Sequence, residues 1–173
     1  MLFRSWGWGT STIDPTNAGR RDLVSAAGIF IPREPCHHDD PIFYWRDDGS
    51  GTYVQVAKQL GFTNQLPSKG VLVFDADNDG RQDLFITRDT ETPLFFHNVT
   101  AAVGSWLKIK VRGTKSNTDA YGAIVTVWPT KDGAPQKFLV GGGGRLFTQD
   151  SHTVQVGLGN FAGPLARLRV DFP

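Results

Sequence analysis

The stretch GTSTIDPTNAGRRDLVSAAG at 9–28 lines up without gaps on GVLVFDADNDGRQDLFITRD at 70–89. Gly9 falls on Gly70, Asp14 on Asp75, Gly19 on Gly80, Asp22 on Asp83 and Leu23 on Leu84. An internal repeat decides the kind of fold before any single residue does. After each copy comes a proline and a short aromatic segment, PIFYW at 41–45 and PLFFH at 93–97. The repeated unit therefore reads strand, acidic loop, strand, turn, strand. The first copy carries an insertion, GIFIPREPCHHDD, before its third strand. It continues through DDGSGTYVQVA, where Asp48-Gly49 marks a tight turn into another strand.

Beyond Val103 the texture changes. In WLKIKVR, Leu107, Ile109 and Val111 alternate with Lys108, Lys110 and Arg112, the period of two of a half-buried strand. The pattern returns in TVQVGL and in ARLRVDF, where Leu168, Val170 and Phe172 alternate with Arg167, Arg169 and Asp171. With GAIVTVW and QKFLVGGGG between them, this makes about five antiparallel strands, a small sandwich or barrel. Twenty Gly and ten Pro, set among many Phe, Trp, Val and Thr, agree with short strands and tight turns throughout. The expected fold is all-β, with a repeat region at 1–102 and a separate strand-rich domain at 103–173.

Eighteen Lys and Arg nearly balance seventeen Asp and Glu, so no global field points to nucleic acid or an anionic membrane as partner. Cys36 is the single cysteine, which excludes an internal disulfide framework. No stretch is long and apolar enough to span a bilayer, and MLFRSWGWGT lacks the apolar run of a signal peptide. The chain is then either cytosolic or exported by a signal on a part outside this sequence.

The second acidic loop, FDADNDGRQD, sets Asp75, Asp77, Asp79 and Asp83 at positions 1, 3, 5 and 9. Side-chain carboxylates at alternate positions can wrap a hard cation, and calcium takes six to eight oxygens at flexible distances. Asp75, Asp77 and Asp79 would each give an oxygen, Gly80 would allow the sharp turn and Arg81 would offer its backbone carbonyl. Asp83 would close the site directly or through water. The loop follows an EF-hand that far and then departs: its twelfth position is Ile86, and LFIT continues as a strand. Asp, Asn and Gly also build plain turns for conformational reasons. The first loop, DPTNAGRRD, keeps Asp14 and Asp22 but has Thr16 and Ala18 where the second has Asp77 and Asp79. It is expected to be held by turn hydrogen bonds and its two arginines.

FDADNDGRQDLFIT, with the preceding RDDGSGTYVQVAKQLGF, resembles the FG-GAP/VCBS repeat, which forms blades of calcium-binding β-propellers. GTKSNTDAYGAIVTVW through GGGGRLFTQDSHTVQVGLG to ARLRVDFP resembles the ASPIC/UnbV domain, which follows such repeats at the C-terminus of secreted proteins. Gly113, Ser116, Asn117, Gly122, Ala123, Gly157, Leu158 and Gly159 occupy that family's motif positions. The resemblance implies a partial β-propeller of one or two blades, a small antiparallel sandwich or barrel-like C-terminal domain, and Ca²⁺ as cofactor. It also implies a secreted or cell-surface, non-enzymatic protein with a structural cation and a role in adhesion or assembly. Partners would be a protein or glycan at the cell surface, and further propeller blades or other copies of the chain. The alternatives are a carbohydrate-binding module using Trp6, Trp8 and Trp45, and an accessory protein or enzyme of secondary metabolism or polysaccharide turnover.

Other features carry less. Cys36, His37, His38, Asp39 and Asp40 have metal-ligand chemistry in no usual zinc spacing. GGGG at 141–144 lacks the Lys-Ser/Thr that phosphate cradling needs. Asn98-Val99-Thr100 is a glycosylation sequon. Lys108, Lys110 and Arg112 read as a solvated strand face, and the four histidines have no motif that places a nucleophile beside them.

Overall fold

The computed structural model describes residues 7–29, 40–63, 67–101, 103–141 and 144–173. They form antiparallel β-sheets and no helix, so among them no helix is long and apolar enough to cross a membrane. The chain divides into two compact units. The first takes the described residues up to 15, those from 20 to 99, and 145–148; the second takes 16–19, those from 100 to 144, and 149–173. No sheet among the described residues closes into a barrel, so the barrel-like half of the expectation gives way to open sheets.

In the first unit β1 (Gly7–Ile13), β2 (Asp22–Ala27), β3 (Phe43–Asp47) and β4 (Tyr53–Gln55) form one four-stranded antiparallel meander. β5 (Ser68–Phe74), β6 (Asp83–Arg88) and β7 (Leu94–Phe96) form a three-stranded one. These are the two copies of the repeat, and they match in register. Leu23 pairs with Trp45 as Leu84 pairs with Phe96, and each first strand carries a bulge near its start. The copies then bury opposite faces. From the first sheet the core takes Ile13, Val24, Ala26 and Tyr44; from the second it takes Val71, Leu84 and Ile86, with Val73, Leu94 and Phe96 against them. The turn after β4 adds Phe62, whose ring lies 5.4 Å from that of Tyr44 and 4.6 Å from that of Phe96. Val24, Val71 and Ile86 are fully buried. At about 1.5–3 kcal/mol for each such side chain, this apolar interface outweighs any single polar contact in the unit.

β1 and β5 approach so closely that the aligned glycines meet. A Cβ built on Gly9 would stand 2.7 Å from the Lys69 carbonyl oxygen and 3.1 Å from the Cα of Gly70. One on Gly70 would strike Thr148 and Thr87. The obstacle at Gly9 is backbone, which has little room to give.

In the second unit β8 (Ser105–Lys110) pairs with β13 (Thr153–Gly159). β9 (Ile124–Trp128) lies between β10 (Gln136–Leu139) and β14 (Arg167–Asp171). Arg145 and Thr148, which count with the first unit, lie in a two-residue pair, β11 (Gly144–Arg145) and β12 (Thr148–Gln149). The core is small and rich in valine: Val125, Val127, Val140, Val154 and Val156, with Ala120 and Ala123. Ile109 and Val111 of the WLKIKVR pattern pack on it as expected. β14 departs from its pattern: Val170 packs on the core, but Leu168 and Phe172 are each 44% exposed. Among the described residues β14 is an edge strand with β9 as its one neighbour.

The turn over 113–122 gives the motif glycines and asparagine a physical meaning. Asn117 Oδ1 accepts the Tyr121 N–H at 2.6 Å and its Nδ2 donates to the Tyr121 carbonyl at 3.0 Å. Gly113 N–H reaches the Thr118 carbonyl at 3.1 Å, and any Cβ at Gly113 would collide with the Asn117 backbone. Gly122, with φ of 86°, takes the left-handed conformation.

Replacing Gly9 by alanine is expected to cost about 1–3 kcal/mol through overpacking against backbone. Urea unfolding of the variant would report it as a lower midpoint at unchanged slope.

Candidate metal centre

The loop between β5 and β6 answers the repulsion of its carboxylates with backbone N–H groups. Asp75 accepts from the N–H of Asp79 at 3.1 Å and of Gly80 at 2.8 Å. Asp77 accepts from Asp79 N–H at 3.3 Å, and Asp79 from Arg81 N–H at 2.8 Å. Asn78 and Gly80 have φ of 62° and 89°, the left-handed turns that asparagine and glycine tolerate best. The Arg81 guanidinium also pairs with Asp79.

Asp83 stands apart from the other three because it is 1% exposed. Its Oδ2 accepts from Ala76 N–H at 2.9 Å and its Oδ1 from Asn98 N–H at 2.8 Å, with His97 Nδ1 3.1 Å from Oδ1. It thereby ties the loop's start to the end of β7. Asp22, its counterpart in the first copy, is 5% exposed and does the same work. Its Oδ1 accepts from Asp47 N–H at 2.9 Å, just as Asp83 accepts from Asn98. The second bond differs, because Ala76 aligns with Pro15, which has no N–H to give. The Tyr44 hydroxyl fills the gap and donates to Asp22 Oδ2 at 2.8 Å. Burial, and then the Asp22 carboxylate, push the Tyr44 phenol well above its ordinary range.

Ligand oxygens at about 2.3–2.6 Å from one calcium ion stand no more than roughly 5 Å apart. One atom from each of Asp75, Asp77 and Asp83 lies within 4.8 Å of the others, and so does one from each of Asp77, Asp79 and His97. Of the five residues expected from the sequence, the four aspartates thus fall into two overlapping groups joined at Asp77, and Arg81 falls in neither. Asp79 groups with His97 and pairs with Arg81, while Asp75 and Asp83 share the inner group. Arg81 enters with its N–H and guanidinium.

His97 and Asn98 were not expected at this site. The sequence holds a signal for them: once Leu84 is paired with Phe96, the next residue of the aromatic segment must face Asp83. Asn98 Nδ2 donates to the carbonyls of Pro15 and Gln82 at 2.9 and 3.2 Å, so the sequon's amide is committed to the fold.

The first loop is built differently. Asp14 N–H donates to Gln82 Oε1 at 2.7 Å. Burial pulls the Arg21 guanidinium down, with Asp14 opposing it, and Arg20 lies over Gly49. Within the second unit the Thr16 carbonyl accepts from Gly104 N–H and the Asn17 carbonyl from Gly159 N–H, each at 2.7 Å. Thr16 therefore holds a backbone partner where the other loop has the carboxylate of Asp77.

Of the sugar-stacking candidates, Trp8 donates its indole N–H to Gly28 and carries Lys69 Nζ 3.9 Å from its ring centroid. Trp45 stacks on Phe43 with centroids 5.3 Å apart. Trp6, the cluster from Cys36 to Asp39, and Gly142 and Gly143 of the glycine run lie outside the described residues.

Residues 113–173 match the family model described as ASPIC and UnbV. That match covers the second unit's strands from β9 onward and includes the Asn117 turn. No curated protein matches the chain in sequence.

In chelator, Asp83→Ala is expected to lose about 1–3 kcal/mol, because it strips buried N–H groups of their acceptor. Asp77→Ala, at an exposed position, should stay within about 0.5 kcal/mol in the same urea titration. Tyr44→Phe should cost about 1–2 kcal/mol at neutral pH by leaving Asp22 short of a donor. Tyr44 titrates higher in the fold than the phenol's usual value of about 10. Its contribution is therefore complete below about pH 10 and fades as pH rises further, when the unfolded chain releases the proton first. The alkaline fall in stability should be shallower in Tyr44→Phe.

Proposed function

We propose that this chain is a non-catalytic, calcium-stabilised β-module that acts outside the cell, in adhesion or assembly at a surface. In this reading the repeat region belongs with the FG-GAP/VCBS blades that it resembles, and the ASPIC/UnbV-like part follows it. The observation that carries the reading is the inner group of the second loop, where Asp75, Asp77 and Asp83 bring ligand oxygens within 4.8 Å. Carboxylate oxygens on a turn preset by backbone N–H bonds suit a hard cation of variable coordination better than magnesium, which keeps its waters. Bound calcium would supply positive charge between the carboxylates. The chain's own residues do the rest: Asp83 ties the loop to the end of β7, and Gly80 and Asn78 hold its turns.

The role of the ion is structural. At ten to a hundred times its dissociation constant it would add about 1.4–2.7 kcal/mol, a useful share of a small domain's stability. Dissociation constants on the order of 10⁻⁴–10⁻³ M belong to extracellular modules and match a loop with an open outer side.

Calorimetric titration of the chelator-treated chain is expected to show calcium binding with a higher melting temperature at saturation. Asp77→Ala should lose the affinity and the thermal shift while keeping its stability in chelator. Wild-type protein that gives neither heat nor a thermal shift would overturn the reading.

A further inference from the structure

The near balance of charge along the chain hides two unlike parts. Residues 1–100 carry nine Lys and Arg against thirteen Asp and Glu, and residues 101–173 carry nine against four. Charge divided between halves in this way points to a charged partner for one of them. Several acids of the first part are engaged within it: Asp22 and Asp83 are buried, Asp79 pairs with Arg81 and Asp89 with Lys69. A row of cations in the second part is engaged differently.

The row stands on β8. Ile109 and Val111 turn to the core, where Val154 and Val156 of β13 are buried. The opposite face of the pair carries Trp106, Lys108 and Lys110, and Arg112 continues the alternation past the end of β8. Register sets Gly157, Gln155 and Thr153 directly across from the three β8 residues, so their partners bear no charge. Trp106 is 38% exposed, and Lys110 and Arg112 are exposed. Among the described residues neither of these two cations has an ion pair. Side chains on one strand face follow each other at about 6.6–6.8 Å, within the Debye length of about 8 Å at physiological salt. The cations therefore repel one another, and an anionic chain laid along the row removes that repulsion.

We infer that this face of the β8–β13 pair binds a linear polysaccharide containing uronate sugars, with carboxylates on Lys110 and Arg112 and one sugar ring against Trp106. Charge complementarity gives the sign of the occupant, and Trp106 narrows its chemistry. An indole joins a large apolar body to one polar group, which suits the C–H face of a sugar. Lys108 Nζ lies 5.7 Å from the centre of the Trp106 ring, where it meets a carboxylate borne on a sugar stacked there. A nucleic acid fits less well. Its binding draws on about six to ten phosphate contacts and on successive aromatic rings for its bases, whereas the row has three cations and one ring. The choice of a polysaccharide rests on the reading that the chain acts outside the cell and gives that role a partner, and it uses no metal ligand.

The test is binding of the whole chain to immobilised hyaluronate, in calcium and in chelator, beside neutral dextran, dextran sulfate of matched charge density and single-stranded DNA. Wild-type protein should bind hyaluronate in both conditions, more weakly as salt rises, and leave neutral dextran unbound. Lys110→Glu combined with Arg112→Glu should weaken binding about tenfold or more and flatten its salt dependence. Trp106→Ala should weaken binding and leave the salt dependence as it was. Lys131→Glu combined with Lys137→Glu makes the same change of charge elsewhere in the unit and should keep binding. Thermal melts check folding, with Lys110→Gln and Arg112→Gln as replacements if the reversed pair unfolds. No binding by the wild type, an equal loss in the control pair, or preference for dextran sulfate or DNA over hyaluronate would overturn the inference. Hyaluronate binding without a calcium response would leave this inference standing while the calcium reading fell, and a calcium response without hyaluronate binding would do the reverse.

Discussion

A buried carboxylate must be given donors, and the first unit is arranged round two of them. Asp22 and Asp83 sit at the start of the second strand of each repeat copy, nearly free of solvent. Each takes the backbone N–H that follows its third strand. Leaving such a group unsatisfied costs more than a typical hydrogen bond contributes. The loop, the second strand and the third strand must therefore close together or not at all. With those three elements held, the apolar faces of both sheets present flat, matched surfaces, and the close passage of β1 over β5 at Gly9 becomes possible.

The same requirement is met by different means in the two copies. Ala76 offers an N–H, while Pro15 has none and Tyr44 brings a hydroxyl from the neighbouring strand. That exchange places a tyrosine in the core of the first copy where the second has an exposed phenylalanine. It also separates two roles that look alike in sequence. The terminal aspartate of each loop is an architectural group, whereas Asp75, Asp77 and Asp79 accept N–H bonds from within the second loop itself. A cation at the second loop would add to an arrangement already organised by N–H bonds, consistent with weak, stabilising binding.

The second unit rests on smaller means. Among the described residues its buried valine and alanine core contains no aromatic ring, so tight turns matter more. Asn117, bonded to both backbone groups of Tyr121, is the clearest of these. It accounts for the asparagine and flanking glycines in the part of the chain that matches the ASPIC and UnbV family model.

Local sequence determined the strands and the loops. The period of two placed β8, β13 and β14, the repeat placed β1 and β2 on β5 and β6, and the aspartate spacing marked the second loop as the acidic site. These features are legible because alternation and turn chemistry act between residues close in the chain. Only the tertiary structure decided that Asp83 anchors the loop to the end of β7, that His97 and Asn98 join it, and that Tyr44 stands in for the N–H missing at Pro15. It alone divided the four aspartates of the second loop into two groups and left Leu168 and Phe172 exposed. Those outcomes depend on strand register and on which face meets which, distances set by parts of the chain far apart in sequence.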